Sequence, residues 1–90
     1  MTNAEKAQAL YNLVGRVTAQ ARQDQRRALA DSAGTSRSAE IWRQNPENAL
    51  DRCPYNVQAA EERLARADAE VQKWEGVLEF TVQTFLKEMP

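Results

Sequence analysis

A regular repeat of apolar residues runs through the last third of the chain. From residue 57 to residue 85 they recur at alternating intervals of three and four: Val57, Ala60, Leu64, Ala67, Val71, Trp74, Leu78, Thr81 and Phe85. This spacing lines up one stripe of an α-helix and is typical of a helix that packs lengthwise against another. Because Pro54 interrupts the chain just before the repeat, we expect a long helix at about residues 56–87.

A second long helix is predicted at about residues 3–32, a stretch rich in Ala, Gln, Leu and Arg. Thr2 and Glu5 have the spacing of a capping box at its start. Turn-forming residues 31–36 predict its end, with Gly34 as the stop. The predicted core face consists of Ala7, Leu10, Val14, Val17, Ala21 and Ala28, with Leu13 on the flank and Asp24 as a polar interruption.

The segment between the helices, at about residues 33–55, is less regular. Asn45 followed by Pro46 predicts the start of a short helix reaching about Arg52. We therefore expect residues 1–90 to form one all-α domain, an antiparallel hairpin of two long helices with a short helical or irregular connector.

The distribution of bulky residues favours the antiparallel arrangement. The first helix is bulkiest near its start, at Leu10, Tyr11 and Leu13, and the second is bulkiest near its end. Folding back brings bulky residues together and leaves alanines facing alanines near the connector. There Ile41, Trp42 and Leu50 are candidates to fill the remaining gap.

The C-terminal third also carries a second apolar face, formed by Val77, Phe80 and Thr84. At about 100° per residue these side chains point away from the stripe that packs in the hairpin. Two helices alone enclose little core. This face therefore predicts an oligomer interface, most simply a homodimer that forms a helical bundle.

Composition limits the chemistry. The chain has a net charge of −1, no histidine and one cysteine, Cys53, so we expect no internal disulfide, metal site or cofactor. No segment has the length and apolarity of a membrane span or the apolar core of a signal peptide, and a cytoplasmic protein is the default expectation.

Other residues permit a chemical interpretation, but a simpler one is preferred for each. Glu75 and Glu79 could act as paired carboxylates, yet their spacing fits a hydrated helix face with no histidine or cysteine cluster nearby. Cys53 could be a nucleophile but lacks a histidine base. Gly15 has no phosphate-loop context. We expect no enzyme activity.

Four arginines on the first helix form a possible phosphate-binding face: Arg16, Arg22, Arg26 and Arg27. Residues 1–54 contain eight basic and six acidic side chains, whereas residues 55–90 contain four basic and seven acidic ones. The charge is thus polarised, and nucleic-acid binding is an alternative function. Complementary charge between helices or subunits is the commoner use of such a pattern.

The preferred partner-binding surface comprises Ile41, Trp42, Arg43 and Tyr55. Trp, Tyr and Arg are enriched at binding hot spots, although Trp42 could instead fill the alanine-rich end of the hairpin. The leading interpretation is a non-enzymatic adaptor or inhibitor of another protein; the alternatives are a nucleic-acid-associated factor and a structural coiled-coil component. The composition resembles in style small accessory proteins of phages and mobile elements, but no motif identifies a family.

Overall fold

The computed structural model describes residues 1–88, which form a hairpin of two antiparallel helices. Helix α1 spans Asn3–Gln44 and helix α2 spans Val57–Lys87. A single 3-10 turn, Pro46–Asn48, lies between them, and residues 1–88 include no strand. The molecule is a rod of 70 × 15 × 14 Å. The predicted all-α helical hairpin is confirmed.

Helix α2 matches its predicted bounds and packing stripe. The Asn56 side chain accepts a hydrogen bond from the Ala59 backbone N–H at 2.9 Å and so caps the first turn. Ala60, Val71 and Thr81 are buried against α1, and the other six members of the three-four repeat are half-buried. The repeat therefore predicted the contact face of α2 correctly.

Helix α1 begins as predicted but continues past its predicted end. Thr2 and Glu5 form the capping box. The expected turn at residues 31–36 is wrong, because the helix runs through Gly34, which has no positive φ, and reaches Gln44. A glycine inside a helix lowers helix stability by about 1 kcal/mol relative to alanine. Packing of α1 against α2 can offset a cost of this size. The helix ends only where Asn45, preceding Pro46, adopts an extended conformation.

The packing face of α1 also differs from the predicted one. Leu10 and Val17 lie on its flank, and Asp24 is exposed. In the structure, the three-four repeat of α1 includes polar as well as apolar residues. Its members are Ala7, Tyr11, Val14, Thr18, Ala21, Gln25, Ala28, Ser32, Thr35, Ala39 and Trp42. Both sets share Ala7, Val14, Ala21 and Ala28, one residue per heptad. Apolar character selected the wrong second residue in the first two heptads, Leu10 and Val17, and the same spacing assigned Asp24 to the third.

The connector is simpler than predicted. The Asn45 side chain accepts from the Glu47 backbone N–H at 3.0 Å, and Pro46 follows as the first residue of the turn. The turn ends at Asn48, so the predicted helix to Arg52 is wrong. Leu50 is fully exposed and Ile41, on α1, is 61% exposed, so neither fills the gap between the helices.

The interior of the hairpin is narrow and partly polar. Its buried apolar residues are all small: Ala7, Val14, Ala21, Ala39, Ala60 and Val71. The largest fully buried side chains are Thr18 and Thr81. The Thr18 hydroxyl donates to the Val14 carbonyl at 2.7 Å, which satisfies it within its own helix. No leucine or aromatic side chain of residues 1–88 is fully buried.

Candidate functional site

Cross-helix pairs define two sides of the hairpin. On one side Asp31 and Arg63 form a salt bridge of 3.1 Å, and on the other Arg22 and Glu75 form one of the same length. Arg22 and Asp31 are nine residues apart, which places them on opposite sides of α1 at about 100° per residue. We call the side of Asp31 and Arg63 the front and the side of Arg22 and Glu75 the back.

A groove of about 390 Å³ identifies further residues on the front. It is lined by Val17, Gln20 and Asp24 from one helix and by Arg66 and Glu70 from the other, with Ala21, Ala67 and Trp74 between them. Residues seven apart in a packed helix share a side. Leu10 and Leu13, one heptad before Val17 and Gln20, therefore also lie on the front, as do Val77, Phe80 and Thr84.

These residues form one apolar surface at the end of the hairpin away from the connector. We call it the open-end face, and it consists of Leu10, Leu13, Val17, Val77, Phe80 and Thr84. Phe80 is 67% exposed and Leu13 is 51% exposed, while Leu10 and Val77 are also exposed. Tyr11 stacks on Phe85 with ring centroids 6.0 Å apart, which holds the two halves of this face together.

The sequence identified only half of this face. Val77, Phe80 and Thr84 were predicted as an oligomer interface, and their spacing along α2 places them together on the front. Leu10 and Val17 had been assigned to the core and Leu13 to its flank. Continuing the α1 repeat as far as Trp42 would have moved Leu10 and Val17 to the surface. No contact in the structure shows what covers the face.

Charged residues follow the apolar ones along the front. Lys73 Nζ lies 3.0 Å from Glu70 Oε1, and the Trp74 indole N–H donates to Glu70 Oε2 at 3.1 Å. The Lys73 ammonium, followed by the Trp74 indole, holds the pKa of Glu70 below its usual value. Lys73 Nζ also lies 5.1 Å from the centroid of the Trp74 ring. Glu70 thus stays ionised and orients two neighbouring side chains.

A second candidate site lies at the connector end. Ile41, Trp42 and Tyr55 surround a cleft of about 320 Å³, whose polar rim includes Ser38, Asn45 and Asn48. We call it the connector-end cleft. Trp42 occupies the last position of the α1 stripe and is half-buried, whereas Ile41 projects from α1 toward solvent. The Asn48 side chain donates to the Trp42 carbonyl at 2.7 Å and ties the turn to the helix.

Arg43, the remaining predicted partner-binding residue, does not line this cleft. It contributes to a neighbouring groove of about 890 Å³ that also includes Tyr55 and Cys53. The Cys53 thiol lies 3.7 Å from the Tyr55 carbonyl oxygen, to which it can donate. Residues 1–88 contain no group of three His, Cys, Asp or Glu side chains that could hold a metal ion.

The four arginines on α1 are all exposed and lie within about 140° of one another around the helix. Arg16 and Arg27 are about 20° apart around the helix, and Arg22 and Arg26 are about 40° apart, with roughly 100° between the two pairs. Arg22 Nε also contacts the Glu75 carboxylate at 3.1 Å. Its charge is therefore partly neutralised by α2, although solvent screens an exposed pair of this kind.

None of the helices in residues 1–88 is long and apolar enough to cross a membrane. No protein-family model matches the sequence, and no curated protein or solved structure is significantly similar to it.

Proposed function

We propose that this protein is a non-catalytic helical module that binds another protein, as an adaptor or inhibitor, through the connector-end cleft. The observation that supports it is the position of Ile41, which is 61% exposed beside Trp42 and Tyr55 at a cleft of about 320 Å³. An exposed aliphatic side chain next to two aromatic rings can exclude water from an apolar side chain of a partner.

The rim of the cleft supports the same function. Ser38 and Asn48 add hydrogen-bonding groups around its apolar centre, an arrangement typical of interfaces with a dry centre and a polar edge. The partner we expect is a folded protein that inserts one aliphatic or aromatic side chain between Ile41 and Tyr55. Trp42 supports this surface from the packing stripe, so its removal should affect stability as well as binding.

Site-specific photo-crosslinking can identify the partner. A photoreactive residue at position 41 should give a crosslink to one defined protein in cells. Leu29 provides the matched control, because it is a similar aliphatic residue on α1, 57% exposed, and lines neither the cleft nor the open-end face. The same partner at both positions would contradict binding at the cleft.

Affinity measurements with the purified partner then test the proposal. Ile41→Ser and Tyr55→Ala should each weaken binding by at least about tenfold, whereas Leu29→Ser should leave it within about twofold. Unchanged affinity in both cleft variants would reject the proposed site. If the ligand is instead nucleic acid, affinity should fall steeply with salt and Arg26→Ala should flatten that slope.

A further inference from the structure

Within residues 1–88, nothing outside the two helices covers the open-end face. The connector, residues 45–56, lies at the other end of the hairpin, and the 31 residues of α2 separate the two ends by about 46 Å at about 1.5 Å per residue. The described part of the chain therefore leaves this face open to a separate molecule.

The exposed area is large enough for a stable interface. The hairpin exposes 6877 Å², whereas a compact 10.2 kDa chain exposes about 5,300 Å². A standard interface removes about 800 Å² from each partner. The hairpin thus exposes about 1,600 Å² more than a compact chain of its mass, and along the front the apolar face continues directly into the groove at Ala21 and Ala67.

We propose that the molecule covering this face is a second copy of the same chain. In this dimer a two-fold axis runs along the hairpin, so open end meets open end and α1 of each copy packs on α2 of the other. The product is a four-helix bundle. It places Leu10, Leu13 and Val17 against Val77, Phe80 and Thr84 of the other copy, so apolar side chains meet apolar ones. The proposal does not depend on the connector-end cleft.

Charge along the front supports this orientation. The pairs Tyr11–Phe85 and Asp31–Arg63 fix the register of the two helices. In this register α1 presents a negative, a positive and a negative residue: Asp24, Arg27 and Asp31. Within about one helical turn of each, α2 presents the opposite charge in the same order: Lys73, Glu70 and Arg66. Packing α1 on the other copy's α2 brings these two rows together.

The reverse orientation lacks this match. A two-fold axis perpendicular to the hairpin at its midpoint would pack α2 on α2 and bring Phe80 to the region of Arg63 in the other copy. That region has no bulky apolar residue on the front, so the bulky side chains would remain largely uncovered. A perpendicular axis shifted to the open end would pair the open-end faces but leave the charged rows of the two copies apart. The proposed orientation also brings both connector-end clefts to the same end of the dimer, where a partner with two sites would bind with avidity.

Light scattering and spin-label distances test the dimer and its orientation in the intact chain. We expect a mass of twice 10.2 kDa at micromolar concentration. A spin label on Cys53, near the connector end, should give an intermolecular distance below about 35 Å, since a four-helix bundle is only two helices wide. A label on Asn12→Cys in a Cys53→Ser background should also give a short distance.

Either of two results would overturn the proposal: a folded wild-type monomer at high micromolar concentration, or a dimer in which the Cys53 label reports about 50 Å or more. Phe80→Ser combined with Val77→Ser should weaken dimerisation by at least about 100-fold. Leu29→Ser is the matched control and should remain dimeric. Because the wild-type mass and distances are measured directly, the test stands even if the double variant unfolds. A monomer that still binds a partner through Ile41 would reject only the dimer.

Discussion

The two ends of the hairpin solve the same packing problem with different side chains. Near the connector, Ser32 and Ala39 of α1 and Ala60 of α2 are buried, and these small residues allow the backbones to lie close together. At the open end the Tyr11 ring stacks on Phe85, and further bulky residues remain on the surface. The connector end is thus filled by close approach of the helices. The open end has more apolar surface than one hairpin can bury.

This difference indicates which end contributes most to stability. Apolar burial stabilises roughly in proportion to area, and the larger side chains are at the open end. The connector end instead relies on close packing and local hydrogen bonds such as Asn48 to the Trp42 carbonyl. Substitutions that remove volume should therefore matter most at the open end, and substitutions that add volume should matter most near the connector.

The largest expected effect is that of Leu78→Ala at the open end. Leu78 is a half-buried member of the α2 stripe, so its truncation should lower the free energy of unfolding by about 2–3 kcal/mol. Ser32→Ala, in the connector half of the α1 stripe, should change it by less than about 1 kcal/mol. Urea unfolding at one fixed protein concentration measures both, because a dimer's stability depends on concentration. A loss below about 0.5 kcal/mol for Leu78→Ala would show that Leu78 is not part of the core.

How much the sequence predicted differs between the helices. In α2 every position of the repeat is apolar or Thr81, so bounds and contact face were both correct. In α1 one residue per heptad is unambiguous, but Thr18 and Gln25 compete with Val17 and Asp24 for the other position. The polar residues occupy the packing face because their hydrogen bonds are satisfied within α1 or across the two helices. Gln25, for example, donates to Asp68 at 2.8 Å.

The surfaces were predictable only in part, for the same reason. Val77 and Phe80 were identified because their own helix has a clear stripe from which they deviate. Leu10 and Val17, on α1, were assigned to the core of the hairpin. The full open-end face could therefore not be recognised from the sequence. Ile41 and Trp42 were chosen by residue type. Ile41 is exposed and Trp42 half-buried because α1 continues through Gly34 to Gln44. The turn-forming residues 31–36 had predicted that the helix would end before both residues.

The next expected effect, at the connector end, is that of Ala60→Leu. Ala60 is fully buried between the helices, and the larger side chain should force them apart at a cost of about 1–3 kcal/mol. Ala65→Leu is the matched control, because Ala65 is exposed on the same helix and should tolerate the change. Thermal unfolding followed by circular dichroism measures both variants. If Ala60→Leu were neutral, the close approach near the connector would be wrong.

Glycine substitutions should affect both ends alike. A Cβ added to Gly15 or Gly34 would meet no atom within 4 Å, and neither residue has a positive φ. Gly15→Ala and Gly34→Ala should each stabilise the protein by about 0.5–1 kcal/mol through higher helix propensity. Urea unfolding measures this gain. If Gly34→Ala destabilised the protein while Gly15→Ala did not, α1 would bend or end at Gly34. The turn predicted at residues 31–36 would then be correct.

The smallest expected effect concerns Glu70, between the two ends. Its pKa is lowered from 4.5, first by its hydrogen bond to Lys73 and then by that to Trp74. A lowered folded-state pKa stabilises the fold above the unfolded value, and this contribution is lost as the pH falls through the folded value. The relevant window therefore lies below about pH 4.5.

Titration of the Glu70 carboxyl followed by NMR should give a pKa below 4.5 in the wild type, closer to 4.5 in Lys73→Met, and raised by a smaller amount in Trp74→Phe. Glu70→Gln should correspondingly flatten the decline of stability on acidification, an effect that exposure to solvent keeps small. If Lys73→Met left the Glu70 pKa unchanged, the Lys73 ammonium would not be the main cause of the shift. The Glu70 carboxylate would then be held mainly by the hydrogen bond from the Trp74 indole rather than by the ion pair with Lys73.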